Sequence, residues 1–450
     1  MALQDSICAI ATPLGTAALA IIRVSGPDTI KIINSIFKGK NLEKQKGQTI
    51  HYGHILSEKQ EIIDEVMISL FIAPKSFTGE DTIEITTHGG ILVTQKVLER
   101  ILEVGARLAQ PGEFSKRAYL NQRIDLVQAE AIMDIIAATN DNALKLAHKS
   151  LAKQTSKLIK DLREKVLTLV AQIEVNIDYP EYDDALEMTK EIIVPQTLEL
   201  IQQLNYILEN SRKTQLIREG IKTVIIGKPN VGKSSLLNAL LDEERAIVSD
   251  IAGTTRDTIN AFINLSGVSL EVIDTAGIRD SSDRIEQIGI ERSKTALSQA
   301  DLVLLVLDAS RPLEDQDLEL LEITKQYPRI IIANKNDLVQ QLIINEEVIN
   351  LSSLKRIGIK RLEDEILVKM KLNNLNDQDF NYLSNVRHLN QLKIAKKLLE
   401  EVVEAAQLDL PVDMYVIDLT KAWQALGEIL GENNYSDLLT ELFSKFCLGK

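Results

Sequence analysis

A chain of 450 residues is longer than one hydrophobic core sustains, so about three domains are expected. With 45% hydrophobic and 26% charged residues it has the make-up of an ordinary globular protein, and no apolar run approaches the ~20 residues of a membrane span. The net charge of −14 excludes any blanket attraction to nucleic acid, so an RNA contact must use a local patch.

No basic stretch leads into an apolar core at the N-terminus. Cys8 and Cys447 lie at opposite ends without C-x-x-C spacing. Both readings point to a cytoplasmic location, with no disulfide and no structural zinc. Residues 1–120 read as mixed α/β. ALAIIRVSG and EVMISLFIAP are apolar strands, TIEITTHGG alternates as a half-buried strand does, and KVLERILEVGA is a short amphipathic helix closed by Gly105. His88-Gly89-Gly90 bears a slight likeness to an oxyanion-hole loop, but no G-x-S-x-G turn accompanies it, and a tight turn into the helix fits better.

From Leu126 the pattern changes to long helices. Leu151, Leu158, Leu162, Val166, Leu169 and Ile173 keep one face apolar, and Pro180 within IDYPEYDD ends that helix. Lys145, Lys149, Lys153, Lys157 and Lys160 recur every three or four residues, a basic stripe along one helix. A solvated face is the default reading of it; a track for RNA phosphates is the alternative.

The apolar run Thr223–Ile226 then reads as a buried strand, and GKPNVGKSS at 227–235 follows with the spacing G-x-x-x-x-G-K-[ST] before the helical LLNALL. Strand, glycine loop and helix are the setting of a phosphate-binding P-loop. Gly227 and Gly232 let backbone amides approach phosphates, Lys233 would reach the β/γ oxygens, and the Ser234 hydroxyl would hold Mg²⁺. Asp274-Thr275-Ala276-Gly277 follows the strand LEVI and suits the Mg²⁺ shell and a γ-phosphate. Asn334-Lys335-Asn336-Asp337 follows the strand RIIIA, and Asp337 can accept two hydrogen bonds from guanine, a donor pair adenine lacks. Gly253-Thr254-Thr255-Arg256-Asp257 lies between, with Thr255 able to complete the Mg²⁺ shell. Together these four motifs point to GTP hydrolysis.

Two details narrow the chemistry. Ile278 stands where Ras-like enzymes carry a water-orienting Gln, and Glu286 is the nearest carboxylate; on spacing alone it reads as a solvated helix-start residue. Asn230, inside the P-loop, could ligate a monovalent cation beside the β/γ bridge, an electrostatic substitute for an arginine finger. After VINLSS the chain turns helical again from about Asn385, with Leu389, Leu392, Leu398, Val402 and Trp423 apolar. The expected architecture is therefore α/β plus all-α: an N-terminal α/β domain (1–120), a discontinuous helical domain (121–216 and 375–450), and a Ras-like P-loop GTPase domain (217–374) inserted between its halves.

DSICAIATPLG, RVSG, SFTGEDTIEI, PGEFSKRAYLN, IDLVQAEAI, DTAGIR with IEQIGIERS, and the closing Cys-x-Gly-Lys span the whole chain. Through them the sequence resembles the MnmE (TrmE) family, GTPases of tRNA wobble-uridine modification. It departs from the family in Leu14 and Thr16-Ala17-Ala18, in Leu448, and in Ser352-Ser353-Leu354, a weak form of the base-contacting SAK motif.

The resemblance implies a folate-binding, homodimeric N-terminal domain. It also implies a K⁺ site of Asn230, Ser249, Ile251 and Thr254, Mg²⁺ on Ser234 and Thr255, and Glu286 as the catalytic glutamate. GTP contacts would come from Asn230, Val231, Gly232, Lys233, Ser234 and Ser235, from Ser249, Asp250, Ile251, Ala252, Gly253, Thr254 and Thr255, from Asp274, Thr275, Ala276 and Gly277, and from Asn334, Lys335 and Asp337. The partners implied are tRNA and the FAD-dependent MnmG (GidA) subunit in a heterotetramer, with neither membrane nor DNA. The reaction implied adds an aminomethyl or carboxymethylaminomethyl group at C5 of the wobble uridine, with a tetrahydrofolate derivative (5,10-methylene or 5-formyl) as the folate ligand and carbon source. By the same resemblance Arg23, Glu80 and Arg123 line the folate pocket and Lys450 reaches it from the tail. Alone, Cys447 reads as a frayed end; if the tail docks, it becomes a candidate functional thiol. Ribosome-assembly GTPases of the Era or EngA kind share GxPNxGKS and GTTRD, but would require a KH domain or a second GTPase domain. A binding switch without turnover is the other alternative.

Overall fold

The computed structural model describes residues 5–178, 190–241, 246–247, 261–273, 297–373, 375, 383–432, 442–444, 446 and 449. The chain divides into two compact units, Met1–Met133 with Gly427–Lys450, and Asp134–Leu426.

In the first unit, β1 (Ile7–Ile10), β2 (Leu19–Ser25), β3 (Phe37–Lys38), β4 (Thr49–Leu56), β5 (Ile62–Phe71), β6 (Thr82–His88) and β7 (Arg107–Leu108) form one sheet in the order β3-β4-β5-β6-β2-β1-β7. All pairs are antiparallel except β1 with β7. Alternation along β5 buries Val66, Ile68 and Leu70 and leaves Met67 outside, as period-two geometry requires when one face is covered. The cover is α1 (Thr29–Ile36) and α2 (Ile91–Glu103), whose Ile33, Ile36, Val97 and Ile101 join those strands in one core. His88-Gly89-Gly90 is the turn into α2: Gly90 is its N-cap, and a Cβ on Gly89 would stand 2.3 Å from the Ala17 carbonyl oxygen. Then follow α3 (Glu113–Leu120) and α4 (Leu126–Ala137).

The chain's last residues return to this unit. Phe443 and Phe446 are buried, and the Phe443 ring stands 6.4 Å from that of Tyr119. Gly112 (φ 68) has no room for a side chain, because a Cβ there would lie 2.3 Å from the Phe443 carbonyl oxygen. Tyr119 Oη donates to the Gly431 carbonyl.

In the second unit α5 (Asp141–Leu151), α6 (Gln154–Asp178) and α7 (Lys190–Glu219) precede a second sheet. Its strands are β8 (Ile221–Ile226), β9 (Ala246–Ile247), β10 (Ala261–Leu265), β11 (Val268–Val272), β12 (Leu302–Asp308), β13 (Arg329–Asn334) and β14 (Val348–Asn350), ordered β14-β13-β12-β8-β11-β10-β9. The centre is parallel, and only β10 is reversed, pairing antiparallel with β11 and β9. Every residue of β12 is buried, the mark of a strand covered on both faces. α8 (Lys233–Leu240), α9 (Asp315–Thr324) and α10 (Ile359–Lys369) belong to this sheet layer. α11 (Val386–Gln407) begins where expected, is capped by Asn385 accepting from Arg387 N at 2.9 Å, packs along α7 and leads to α12 (Asp413–Leu430).

The fold class expected from sequence is the one found: α/β plus all-α. One local expectation fails. The lysine stripe does not run along a single helix, because Lys153 sits at φ 66, a left-handed residue that ends α5 and starts α6. Leu162, Val166, Leu169 and Ile173 form the buried side of α6, while Leu151 belongs to α5. Pro180 lies outside the described residues.

Candidate functional site

The loop between β8 and α8 is held from three sides. Gly232, N-cap of α8, has φ 99, and a Cβ there would fall 2.2 Å from Asn334 Nδ2. Only glycine lets that amide reach across and donate to the Val231 carbonyl at 2.8 Å. Asn230 is left-handed as well, at φ 63. Lys233 Nζ donates to the carbonyls of Gly227 (2.7 Å) and Lys228 (2.8 Å), and burial pushes its pKa down. A half-buried ammonium resting on carbonyl dipoles at the mouth of a glycine loop is poised for a polyanion.

Asn334 also binds the far loop: its Oδ1 accepts from Ser353 N and Ser353 Oγ, both at 3.0 Å. Ser352 Oγ donates to Asp337 Oδ1 at 2.6 Å, and Lys355 Nζ lies 3.9 Å from Asp337 Oδ2. The serine hydrogen bond, helped by the backbone N–H of Asp337 itself and then by the lysine charge, outweighs desolvation and holds the Asp337 carboxyl below its ordinary range, so it stays an acceptor. Lys335 Nζ donates to Asp308 Oδ2 at 2.7 Å. Burial opposes ionisation of Asp308 most strongly, but bonds from Lys335 and Ser310 outweigh it and lower its pKa. Thus Asn230, Val231, Gly232, Lys233, Ser234, Ser235, Asn334, Lys335 and Asp337 gather at the ends of β8 and β13 with Ser352 and Ser353. Ser249, Asp250, Ile251, Ala252, Gly253, Thr254, Thr255, Asp274, Thr275, Ala276, Gly277 and Glu286 lie outside the described residues.

A second polar cluster lies in the first unit. Glu80 accepts from Ser25 Oγ (3.0 Å) and from Arg117 Nη1 (3.3 Å). Arg23 donates twice to Glu84 Oε1 (3.0 and 2.7 Å) and once to the Gly449 carbonyl (3.1 Å), and its guanidinium stands 5.4 Å from the Phe77 ring centroid. Arg123 is exposed and reaches the Ser76 carbonyl at 3.3 Å. Arg23 and Ser25 lie two residues apart on β2 and so share one face of that strand, and Ser25 donates to Glu80; Arg123 bonds only Ser76 among these. Lys450 and Cys447 lie outside the described residues, but Gly449 between them does not: a Cβ on it would be 2.7 Å from the Ile10 carbonyl oxygen.

Comparison with known proteins identifies the family. A family model described as the MnmE helical domain matches residues 126–447, and one described as the GTP-binding protein TrmE N-terminus matches residues 6–123. The tRNA modification GTPase MnmE of Acholeplasma laidlawii is 66% identical over 446 residues, 99% of each chain. The chain belongs to the MnmE family. The protein of the same name from Lactococcus lactis subsp. cremoris is 52% identical over 99% of this chain and 98% of that one. Among solved structures, the G domain of the T. maritima FeoB iron transporter is 27% identical over 33% of this chain and 98% of that one, with a TM-score of 0.26.

For an MnmE-family chain, two buried cations were missed by sequence reasoning. Arg117, within RAYLN, is fully buried and bonds Asp5, Glu80 and Glu113. Lys228, inside the P-loop, is 6% exposed; its Nζ donates to Glu314 Oε2 at 2.6 Å and lies 2.9 Å from Asp317 Oδ2. Charge in a motif reads as surface or ligand, and nothing local in either motif signals a distant carboxylate.

Proposed function

We propose that this chain is a K⁺-activated GTP hydrolase that works with an FAD-dependent MnmG partner to modify C5 of the tRNA wobble uridine. The observation that carries the reading is the full-length match to proteins named tRNA modification GTPase MnmE, joined to a P-loop whose glycine cradle a single methyl group would fill.

In this reading Asp337 accepts from guanine, and the Gly232 and Lys233 amides with Lys233 Nζ face the phosphates. Ser234 and Thr255 would hold Mg²⁺, and Asn230, Ser249, Ile251 and Thr254 would hold K⁺. These cations supply positive charge against the charge that builds at the β/γ bridge. Glu286 would orient the attacking water. In the N-terminal domain Glu80 would accept from the 2-amino group and ring N–H of a pterin, while Arg23, Arg123 and Lys450 hold its carbonyl or glutamate tail. The residues fit that ligand: Glu80 has two donors already oriented on it, and the Arg23–Gly449 bond brings the tail to the same patch. A bound tetrahydrofolate supplies the one-carbon unit, with the Cys447 thiol alongside. Ile50, Tyr52 and Met67, exposed on the uncovered sheet face, support a homodimer through this domain. Among the described residues no helix is long and apolar enough to cross a membrane; a cytoplasmic location is part of this proposal. The domains are taken as 1–120, 121–216, 217–374 and 375–450.

The test is nucleoside analysis of tRNA from a deletion strain. Loss of the C5 substituent at the wobble uridine, restored by the gene, is expected; an unchanged wobble nucleoside sinks the reading.

A further inference from the structure

α5 joins two features that the GTPase reading leaves unused. The first is at its N-terminus. Asn140 caps the helix by accepting from Ala143 N at 2.8 Å, while its Nδ2 donates to Ser269 Oγ (3.0 Å) and to the Ile217 carbonyl (3.3 Å). A Thr139–Ser269 hydroxyl bond of 2.7 Å adds to this, and both Asn140 and Ser269 are buried. Ser269 lies on β11, next to the hairpin turn at Ser266 (φ 51) and Gly267 (φ 88), where a Cβ would stand 2.7 Å from Asn142 Nδ2. The β10–β11 hairpin is the stretch of chain between Thr255 and Asp274, both read above as nucleotide-facing. α5 is thus locked to the strand pair that links the two segments expected to sense the γ-phosphate.

The second feature is charge. Residues 141–160 contain five lysines, His148 and one acid, Asp141, a local net charge of +4 in a chain of −14. Lys145 and His148 are exposed on α5, and Lys149 is half-buried beside them. The left-handed Lys153 turns the chain into α6, where Lys157 and Lys160 are exposed. Beyond them Asp161 and Glu164, also exposed, mark the end of the basic surface. No Phe, Tyr or Trp occurs in 141–160 to stack a base, so the chemistry suits a phosphate backbone rather than base readout.

We propose that the α5–α6 corner is a contact surface for the backbone of the RNA substrate, and that the Asn140–Ser269 lock passes its occupancy to the GTPase domain. The proposal rests on the tRNA reading above. It is tested on the full chain by anisotropy of labelled tRNA across a salt series, together with GTP turnover with and without tRNA. Reversing Lys145, Lys149 and Lys157 to Glu should weaken binding at least tenfold and flatten the salt slope by about two to three, one phosphate contact per lysine. Ser269→Ala should retain tRNA affinity and basal turnover but lose the change in turnover that tRNA causes; if that variant does not fold, Asn140→Asp, which keeps the helix cap and removes both donors, replaces it. A wild-type chain with no salt-dependent tRNA binding would defeat the underlying tRNA reading. Normal binding by the reversed variant overturns the surface, and displacement of tRNA by polyglutamate as readily as by unlabelled tRNA would assign the surface to an acidic protein instead. A wild-type turnover indifferent to tRNA, or unaltered coupling in the lock variant, overturns the lock.

Discussion

Replacing Lys228 by Met keeps most of the side chain's length and removes its charge. The two ion pairs broken by this change are unequal. Glu314 is 59% exposed and rehydrates, so little of the loss comes from it. Asp317 is 5% exposed, and its Oδ1 finds no hydrogen-bond partner among the described residues. Without Lys228 its carboxylate keeps only the Glu314 N–H at 3.0 Å, the inner half of the capping box that starts α9. Stranding a buried charge in this way costs about 3–5 kcal/mol. In a domain of roughly 150–250 residues each kcal/mol lowers the midpoint by about 2–4 °C, so a drop of about 6–20 °C is expected. The measurement is a calorimetric melt of nucleotide-free full chain, following the transition that GTP or GDP shifts. Lys228→Met with Asp317→Asn, which keeps the cap acceptor but no charge, should recover most of the loss. A single variant within about 2 °C of wild type, or a double variant no more stable than the single, would refute the reasoning.

Exchanging K⁺ for Na⁺ at constant ionic strength should lower kcat for GTP severalfold, because the smaller ion fits a K⁺ cage poorly; equal rates in both salts would remove the monovalent site at Asn230. Glu286→Ala should reduce kcat with GTP affinity nearly unchanged, the pattern of an interaction made only in the transition state, whereas a raised KM at normal kcat would return Glu286 to an ordinary solvated residue. Deleting residues 447–450 should abolish wobble modification and weaken binding of 5-formyltetrahydrofolate while intrinsic GTP turnover persists; full modification by the truncated chain would end the docking idea. Burial opposes ionisation of Glu113, but the Arg107 bond and its neighbours outweigh it and depress its pKa below the ordinary 4.5. The stability it adds at neutral pH is therefore lost as pH falls below about 4.5 through the depressed folded value, and acid melts of Glu113→Gln should show a shallower decline there.

What the sequence made legible was whatever local pattern encodes. The apolar run at Thr223–Ile226 before a glycine loop, the alternation of TIEITTH and the helical spacing from about Asn385 each carry their own periodicity, and each became the element expected. The lysine stripe misled for the converse reason. A spacing of three or four continues numerically across Lys153, but a single left-handed residue redirects the chain, and no period reports it. Arg117 has one nearby partner, Glu113, but its burial and that of Lys228 stayed hidden because other partners are remote: Asp5 lies 112 residues from Arg117, and Glu314 lies 86 from Lys228. Ser352 and Ser353, a weak motif as letters, bond Asp337 and Asn334 directly, since a hydroxyl and a backbone N–H at that turn do not depend on the residue that follows.

The return of Phe443, Phe446 and Gly449 to the first unit has a consequence for biosynthesis. At ~5–20 residues per second, the ribosome takes roughly 15–60 s to add the 293 residues from Asp134 to Leu426. Throughout that interval the early sheet exists without the aromatic pair that closes over Tyr119 and without the carbonyl that Arg23 engages. The first unit to emerge is therefore completed only after the second has been synthesised. A chain cut before Phe443 would leave the Gly112–Tyr119 surface without its aromatic cover, so the integrity of the first unit depends on synthesis of the second.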